Sequence, residues 1–381
     1  MESQRSFLVI ALLIVSFLLF QEWQLENAPV LQQPQSINNQ ENNSNNDDFV
    51  PAPSGELAAP EVTLASNAQI ITVTTDVFEA KINSQGGDIV EVKLLQHETE
   101  QKSGIPLTIM QNGKQKYIAQ SGLTGTNGPD RLVKGRPIYS VEKDNFTLAD
   151  GQNELTVSLS YVDAQGLSVV KNYVFTRDNY AVKVEYQVAN HAQNDISVQL
   201  YGQLKQSSYV EQSSAFIPTY RGAAFSTSEE RYEKYDFDEI ADVNLDKNTK
   251  GGWVAMLQHY FVSAWVPSAE DNNYLYSKYS NNTGDAVIGF KAPAITIASN
   301  NEGTTSAILY VGPKTQDKLE VIADGLDLTV DYGFLFMISQ PLFWLLTAIQ
   351  SVVGNWGIAI ILITLVVKGG MYPLTKKQYT S

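Results

Sequence analysis

One basic residue inside a long apolar stretch is the clearest candidate for chemistry in this sequence. Between residues 333 and 374 the only charged side chain is Lys368. A charge at the centre of a membrane helix costs roughly 3 kcal/mol, so its presence there calls for an explanation. Ile360, Thr364, Lys368 and Tyr372 recur four residues apart, a spacing that predicts a shared helix face.

Two interpretations of this face follow from the spacing, and both stay open. In the first, the face lines a hydrated groove inside a helix bundle, where Lys368 pairs with an acidic group on a passing chain. In the second, Lys368 lies near the end of the helix and extends its ammonium to the lipid headgroups. The four residues are therefore candidate substrate-groove residues.

Other motifs carry less information about chemistry. Ser168 and Lys171 match the SxxK pattern of acyl-transferring hydrolases, but their segment alternates like a strand, which would direct them to opposite faces. The three histidines, His97, His191 and His259, lack the spacing of metal ligands. We therefore predict no catalytic residue, no metal site, no cofactor and no enzymatic activity.

A group of aromatic residues suggests a second kind of function. Trp253, Tyr260, Phe261 and Trp265 lie close together in the sequence. Such a cluster could stack on a sugar, although in an all-β domain it is more often part of the core. The alternative function is thus a membrane-tethered carbohydrate-binding or carbohydrate-processing domain.

The N-terminal part of the chain has the pattern of a membrane anchor followed by a tether. Residues 7–20 are fourteen uncharged residues, preceded by Arg5 and followed by Trp23 without a small-residue cleavage site. Arg5 predicts a cytoplasmic N-terminus. Residues 24–66 are rich in Gln, Asn, Pro and Ser, a composition typical of disordered linkers.

The middle of the chain alternates between apolar and polar residues, as half-buried strands do. The alternation is clearest at 155–161, 182–188 and 196–200. Because helical spacing is scarce here, we expect a large antiparallel sandwich. A short helix is predicted at 316–323, before Gly325.

The C-terminal apolar region predicts an interfacial helix followed by one membrane span. Residues 339–353 carry a polar stripe on an aromatic and leucine-rich helix. Its members are Gln340, Thr347, Gln350 and Ser351. Residues 354–374 come closer to the roughly 20 apolar residues that a spanning helix needs. A single return span also places Lys376 and Lys377 in the cytoplasm.

The predicted fold class is mixed, with an all-β domain flanked by transmembrane helices and one interfacial helix. In chain order the predicted segments are an anchor at 1–23, a linker at 24–66, a β domain with a short helix at 67–326, an interfacial helix at 327–353, a second membrane helix at 354–374 and the start of a cytoplasmic region at 375–381.

Composition excludes several classes of function. The chain has a formal net charge of −15 and no cysteine. An acidic protein is a poor partner for nucleic acid. Without cysteine there are no disulfides, thiolate nucleophiles or cysteine-based zinc sites.

Four blocks of the sequence resemble the YidC/Oxa/Alb family of membrane protein insertases. They are SQGGDIVEVKLL, RGAAFSTSEERYEKYDFDEIAD, KGGWVAMLQHYFVSAWVP and the C-terminal SQPLFWLLTAIQSVVGNWGIAIILITLVVKGGMYPLTKKQYTS. The likeness extends over the chain outside 24–66. It implies a bacterial inner-membrane protein with several spans and a large periplasmic β-supersandwich of the galactose-mutarotase-like kind.

The resemblance also implies a function and a set of partners. The expected function is insertion, folding and assembly of membrane proteins, alone or with the Sec translocon. The expected partners are nascent membrane proteins, Sec components and the lipid bilayer. A separate hypothesis, independent of the resemblance, makes the β domain a docking platform for other membrane proteins through the short helix at 316–323. The position of Lys368 usually holds arginine in the family, and lysine keeps the charge but loses the planar fork that pairs with carboxylates.

The family core contains several more membrane helices after the last segment of this chain. We therefore expect the sequence to be an N-terminal part, and expect these 381 residues alone not to form the groove.

Overall fold

The fold is taken from a computed structural model of the chain. It describes residues 68–100, 102–113, 115–131, 135–208, 221–330 and 336–380. The predicted anchor at 1–23 and linker at 24–66 lie outside these residues.

Nineteen strands make up the described β domain. In chain order they are β1 (Ile70–Thr74), β2 (Phe78–Asn83), β3 (Asp88–Glu98), β4 (Pro106–Met110), β5 (Tyr117–Thr124), β6 (Ser140–Val141), β7 (Asn145–Thr147), β8 (Glu154–Val162), β9 (Leu167–Thr176), β10 (Ala181–Asn190), β11 (Ile196–Ser207), β12 (Gly222–Ser226), β13 (Glu233–Tyr235), β14 (Asp246–Lys250), β15 (Trp253–Leu257), β16 (Phe261–Val266), β17 (Asn272–Ser280), β18 (Asp285–Ile297) and β19 (Glu302–Pro313).

The strands form two sheets. The first has ten strands in the order β14-β17-β18-β11-β5-β3-β2-β1-β7, with β4 paired to β3 outside this path. The second has nine strands in the order β13-β12-β15-β16-β19-β10-β9-β8-β6. Pairing among the described strands is antiparallel except between β1 and β7. The predicted antiparallel sandwich is confirmed.

Alternation along β10 shows why the chain folds this way. Val182, Val184, Tyr186 and Val188 are buried, whereas Lys183 and Gln187 between them are exposed. Successive side chains of a strand point to opposite faces, so one face enters the core and the other stays polar. The turn before β10 contains Asp178 with φ of 53°, a left-handed conformation that aspartate tolerates.

Four helices complete the described residues. They are α1 (Phe237–Asp242), α2 (Gln316–Ile322), α3 (Phe336–Val353) and α4 (Trp356–Thr380). The helix α2 lies within the stretch for which the sequence predicts a helix, and a 3₁₀ turn at Leu326–Thr329 follows it.

The turn between α3 and α4 follows from two residues. Gly354 has φ of 69°, which glycine adopts without steric cost. The side chain of Asn355 accepts a hydrogen bond from the backbone N–H of Ile358 at 3.2 Å, which caps the start of α4. Within residues 336–380, as in the other described ranges, no helix has the length and hydropathy expected of a membrane span.

Candidate functional site

The predicted groove residues all lie on an exposed part of α4. The side chains of Ile360, Thr364, Lys368 and Tyr372 are exposed. Thr364 donates its hydroxyl to the carbonyl of Ile360 at 2.7 Å, so this polar group is satisfied within the helix. The face therefore presents two large apolar side chains and one ammonium.

A neighbouring stripe of α4 is less exposed. Ala359 is fully buried, and Ile363 and Val367 are partly buried. The helix α4 packs against α3. The stripe starts one residue before the candidate face, so the two faces are adjacent on the helix rather than opposite.

The helix α3 also exposes large apolar side chains. Met337, Ile338 and Trp344 are each more than half exposed, at 76%, 59% and 69%. Its predicted polar stripe is partly satisfied locally, because Thr347 and Ser351 donate their hydroxyls to backbone carbonyls one turn earlier.

Four ionisable side chains lie together between the two sheets of the β domain, and we call them the ionic cluster. Arg136 donates from Nε to Asp130 Oδ1 at 2.9 Å and from Nη1 to Asp88 Oδ2. These three side chains are each less than a tenth exposed. The fourth member, Lys171, is fully buried on β9. When Lys171 is protonated, two positive and two negative charges balance one another, which lowers the cost of burying them.

Lys171 connects the two sheets through backbone oxygens. Its ammonium donates to the carbonyls of Gly86, Gly87 and Ser121 at 3.0, 2.8 and 3.1 Å. These acceptors lie in the β2–β3 turn and on β5 of the first sheet, whereas Lys171 belongs to the second. An ammonium has three N–H donors, and all three are used.

Burial dominates the electrostatics of the ionic cluster. It lowers the pKa of Lys171 from its ordinary 10.5 to about 7, although attraction to Asp88 and Asp130 opposes the change. Burial also raises the pKa values of the neighbouring Tyr173 and Tyr186 well above their ordinary value. A lysine with a pKa near neutrality beside carboxylates is typical of acid–base sites. Here the side chains are enclosed between the sheets, so we interpret the cluster as structural.

The sequence interpretation missed this cluster. Asp88 and Arg136 are 48 residues apart, and no local spacing relates them. One signal was available: Lys171 occupies a position of β9 that alternation assigns to the inner face, where lysine is unusual. Its partner in the predicted SxxK motif, Ser168, lies on the other face of β9, as the strand period requires.

The aromatic cluster is not a single stacking surface. Trp253 and Trp265 are each 1% exposed, and their strand positions place them on opposite faces of the second sheet. Tyr260 is 69% exposed in the turn between β15 and β16. The core interpretation is therefore right for the two tryptophans, and the sugar-stacking interpretation is wrong for the group.

Comparison with known protein families identifies most of the described β domain. Residues 70–345 match the family model of the YidC periplasmic domain. The chain belongs to the YidC family. The insertase resemblance stated for the sequence is thereby confirmed, and YidC membership favours insertase function over a carbohydrate-processing domain.

Curated relatives of the YidC family match the whole chain. A protein of Shewanella frigidimarina named membrane protein insertase YidC is 47% identical over 382 residues, covering 100% of this chain and 70% of the relative. Proteins of the same name from Shewanella pealeana and Pseudoalteromonas atlantica are 49% and 48% identical, with the same coverage.

Solved structures similar to the β domain are distant from it. A galactose mutarotase-like protein from Clostridium acetobutylicum has a TM-score of 0.41 and 11% identity, covering 65% of this chain and 98% of that protein. A putative aldose 1-epimerase from Escherichia coli has a TM-score of 0.37 and 12% identity, with 64% and 99% coverage. At these values the likeness carries no argument about function.

Proposed function

We propose that this protein is a membrane protein insertase in which the face of α4 that carries Ile360, Thr364, Lys368 and Tyr372 receives segments of new membrane proteins. The observation that carries the proposal is the 47–49% identity, over the whole chain, to relatives named membrane protein insertase. The exposed side chains of α4 explain in physical terms how the protein would receive those segments.

The chemistry of the proposed face suits transfer of polar groups into a bilayer. A peptide that enters hydrocarbon must satisfy its polar groups, and each unsatisfied group costs several kcal/mol, on the order of 2–7. Thr364 donates its proton to Ile360 and therefore offers a client only its hydroxyl oxygen, as an acceptor, whereas Lys368 offers a positive charge at partial depth. Together they lower the cost for an acidic or polar client residue without any covalent step.

The proposed topology follows from the apolar surface of the two helices. Ile361 and Leu365 on α4 are each 62% exposed, and exposed apolar area of this kind is typical of contact with lipid or with further helices. We place α4 across the inner membrane, α3 in its outer interface and the acidic β domain in the periplasm. Lys376 and Lys377 then lie in the cytoplasm, as the distribution of positive charge favours.

Further helices would complete the groove, and the Sec translocon and lipid are the proposed partners. The relatives are longer than this chain, which covers 70% of the first of them.

A charge series at Lys368 tests the proposal. Insertion of a small client with an acidic residue in its translocated segment would be compared in cells whose insertase also contains the helices that complete the groove. The insertase would carry Lys368, Lys368→Arg, Lys368→Gln or Lys368→Glu. We expect insertion to be retained in Lys368→Arg, reduced in Lys368→Gln and lowest in Lys368→Glu.

The matched control is the same client with its acidic residue replaced by a neutral one, for which the four variants should differ little. Equal insertion of the acidic client by all four variants would contradict a role for the charge. An equal loss for both clients would contradict charge capture and indicate a structural defect.

A further inference from the structure

A cavity of about 560 Å³ lies between the outer face of the second sheet and the C-terminal end of α2. Its floor contains one residue from each of five neighbouring strands, in a single row across the sheet. The row consists of Ser226, Trp253, Val266, Ile308 and Lys183. The strand registers pair Ser226 with Trp253, Val266 with Ile308 and Ile308 with Lys183.

The chemistry of the row changes along its length. Its middle is an indole followed by two aliphatic side chains, and its ends are a hydroxyl and an ammonium. Neighbouring strands lie about 4.8 Å apart, and five strands have four such spacings, so the row is about 19 Å long. The row is thus apolar at its centre and has the ammonium of Lys183 at one end, and Lys250 also lines the cavity.

The two polar ends of the row differ in their exposure. Ser226 is 5% exposed, so its hydroxyl lies in the wall of the cavity and not on the outer surface of the domain. Lys183 is half exposed and pairs with Glu185 at 2.5 Å, an exposed ion pair that a stronger anion can replace.

The roof of the cavity is fixed in place. Ile322, Ala323 and Asp324 form it, and the indole N–H of Trp253 donates to the carbonyl of Asp324 at 2.9 Å. Asp324 also pairs with Arg231 at 2.6 Å. The cavity therefore has a defined height between the helix end and the sheet.

The position of the floor on a sheet face argues against a peptide as the occupant. Extended peptides bind at sheet edges because an edge offers unpaired N–H and C=O groups. The strands that form this floor are paired with one another. A peptide laid across them would bury backbone groups without partners, and a helix of about 10 Å diameter is too wide for a cavity this size. A hydrocarbon chain has no such groups to satisfy.

The cavity is also close in sequence to the helices that carry exposed apolar surface. Phe336, the first residue of α3, follows Asp324 by twelve residues, a reach of at most about 40 Å. Placing α3 at the membrane rests on the proposed function.

We propose that this cavity binds one acyl chain of an anionic membrane lipid, with the chain against Val266, Ile308 and Ile322 and the headgroup beside Lys183. A lipid molecule of the membrane thereby becomes a ligand of the β domain. This binding would hold the domain near the bilayer while clients are inserted.

Lipid photolabelling of the full chain in bilayers tests the inference. The probe is a lysophosphatidylglycerol with a diazirine in its acyl chain, and adducts are mapped to peptides by mass spectrometry. We expect adducts on peptides containing Val266, Ile308 or Ile322. We expect at least fivefold fewer in Ile308→Trp, which fills the cavity.

Two comparisons keep the test decisive. Val321 is 87% exposed on α2, so Val321→Trp adds the same bulk outside the cavity and should leave labelling unchanged. The exposed substitution Lys183→Glu should remove an expected threefold or greater preference over the lysophosphatidylcholine analogue.

Three results would overturn the inference: no adducts on these peptides, equal labelling of Ile308→Trp and the parent, or labelling of the cavity by a diazirine-bearing client chain instead of lipid. Adducts on α3 and α4 report separately on the proposed membrane placement. Their absence would refute that placement, and their presence with an unlabelled cavity would refute only the lipid site.

Discussion

The ammonium of Lys171 lies 2.8 Å from the carbonyl oxygen of Gly87, and this hydrogen bond joins the two sheets through the interior of the domain. Gly87 has φ of 64°, in a turn that brings its carbonyl toward the second sheet. The interior of the sandwich is therefore held by a directional polar contact as well as by apolar packing. Such contacts favour one alignment of the sheets over others.

The first prediction concerns the charge balance of the ionic cluster. Replacing Arg136 by Met leaves Asp88 and Asp130 buried without their cation, so we expect the free energy of unfolding to fall by about 3–5 kcal/mol. Thermal and urea unfolding followed by near-ultraviolet circular dichroism would measure it.

The matched control for this prediction is Arg231→Met. Arg231 also pairs with an aspartate, Asp324, but the two side chains are 63% and 79% exposed. Exposed ion pairs contribute little, so the control should unfold like the parent. Similar losses in both variants would show that burial is not what makes the Arg136 pair important.

The second prediction is a pH dependence from Lys171. Burial lowers its pKa in the folded protein from the ordinary value of 10.5 to about 7. Between these values the unfolded chain binds more protons than the folded one, so this residue makes stability rise with pH from about 7 to 10. Below about pH 7 both states are protonated and its contribution is constant.

The Lys171→Met variant isolates this contribution. Asp88, Asp130 and Arg136 face the same ammonium and remain in the variant, so the difference between the two pH profiles reports Lys171. We expect the parent's stability to rise relative to the variant's between pH 7 and 9. Parallel profiles over that range would contradict the lowered pKa.

The third prediction uses two glycines that differ in their surroundings. A Cβ at Gly122 would overlap the carboxylate of Asp130, whereas a Cβ at Gly113 would meet nothing within 4 Å. We expect Gly122→Ala to destabilise the domain by about 1–3 kcal/mol and Gly113→Ala to have little effect. A stable Gly122→Ala would mean that the ionic cluster tolerates displacement.

Sequence alternation was sufficient for the strands but not for what lies between the sheets. Val182 and Val184 are buried because the strand period alone places them on the inner face. Asp88, Arg136 and Lys171 meet only after the two sheets pack, and apart from the inner-face position of Lys171 the sequence gives no sign of that meeting. Sequence periodicity therefore does not predict polar clusters that form only through tertiary packing.

The candidate face of α4, in contrast, could be predicted from the sequence. Thr364 and Lys368 are one helical turn apart, so local geometry alone relates them. The cavity beneath α2 was not accessible, because its row takes one residue from each of five strands and depends on their register.

The fourth prediction contrasts two glycines of the C-terminal helices. Gly354 has φ of 69° in the turn between α3 and α4, so Gly354→Ala should cost about 1 kcal/mol. Gly369 lies inside α4 with open space around it, so Gly369→Ala should stabilise the helix by about 1 kcal/mol. Hydrogen exchange of α3 and α4 should therefore become faster in the first variant and slower in the second. Hydrogen exchange that changes in the same direction and to the same extent in both variants would contradict the left-handed turn at Gly354.

The central claim is that one face of α4 contacts client proteins during insertion. Its most direct test is site-specific photo-crosslinking in cells that are synthesising a small membrane protein, in an insertase that also contains the helices completing the groove. The photoreactive residue is placed at Thr364, at Lys368 or at Val366. Val366 is 55% exposed and lies half a turn away from the candidate face, so it serves as the matched position. The account predicts adducts with the nascent chain from Thr364 and Lys368 and few from Val366. Adducts with lipid alone at Thr364 and Lys368 would contradict it and would leave Lys368 as a headgroup anchor.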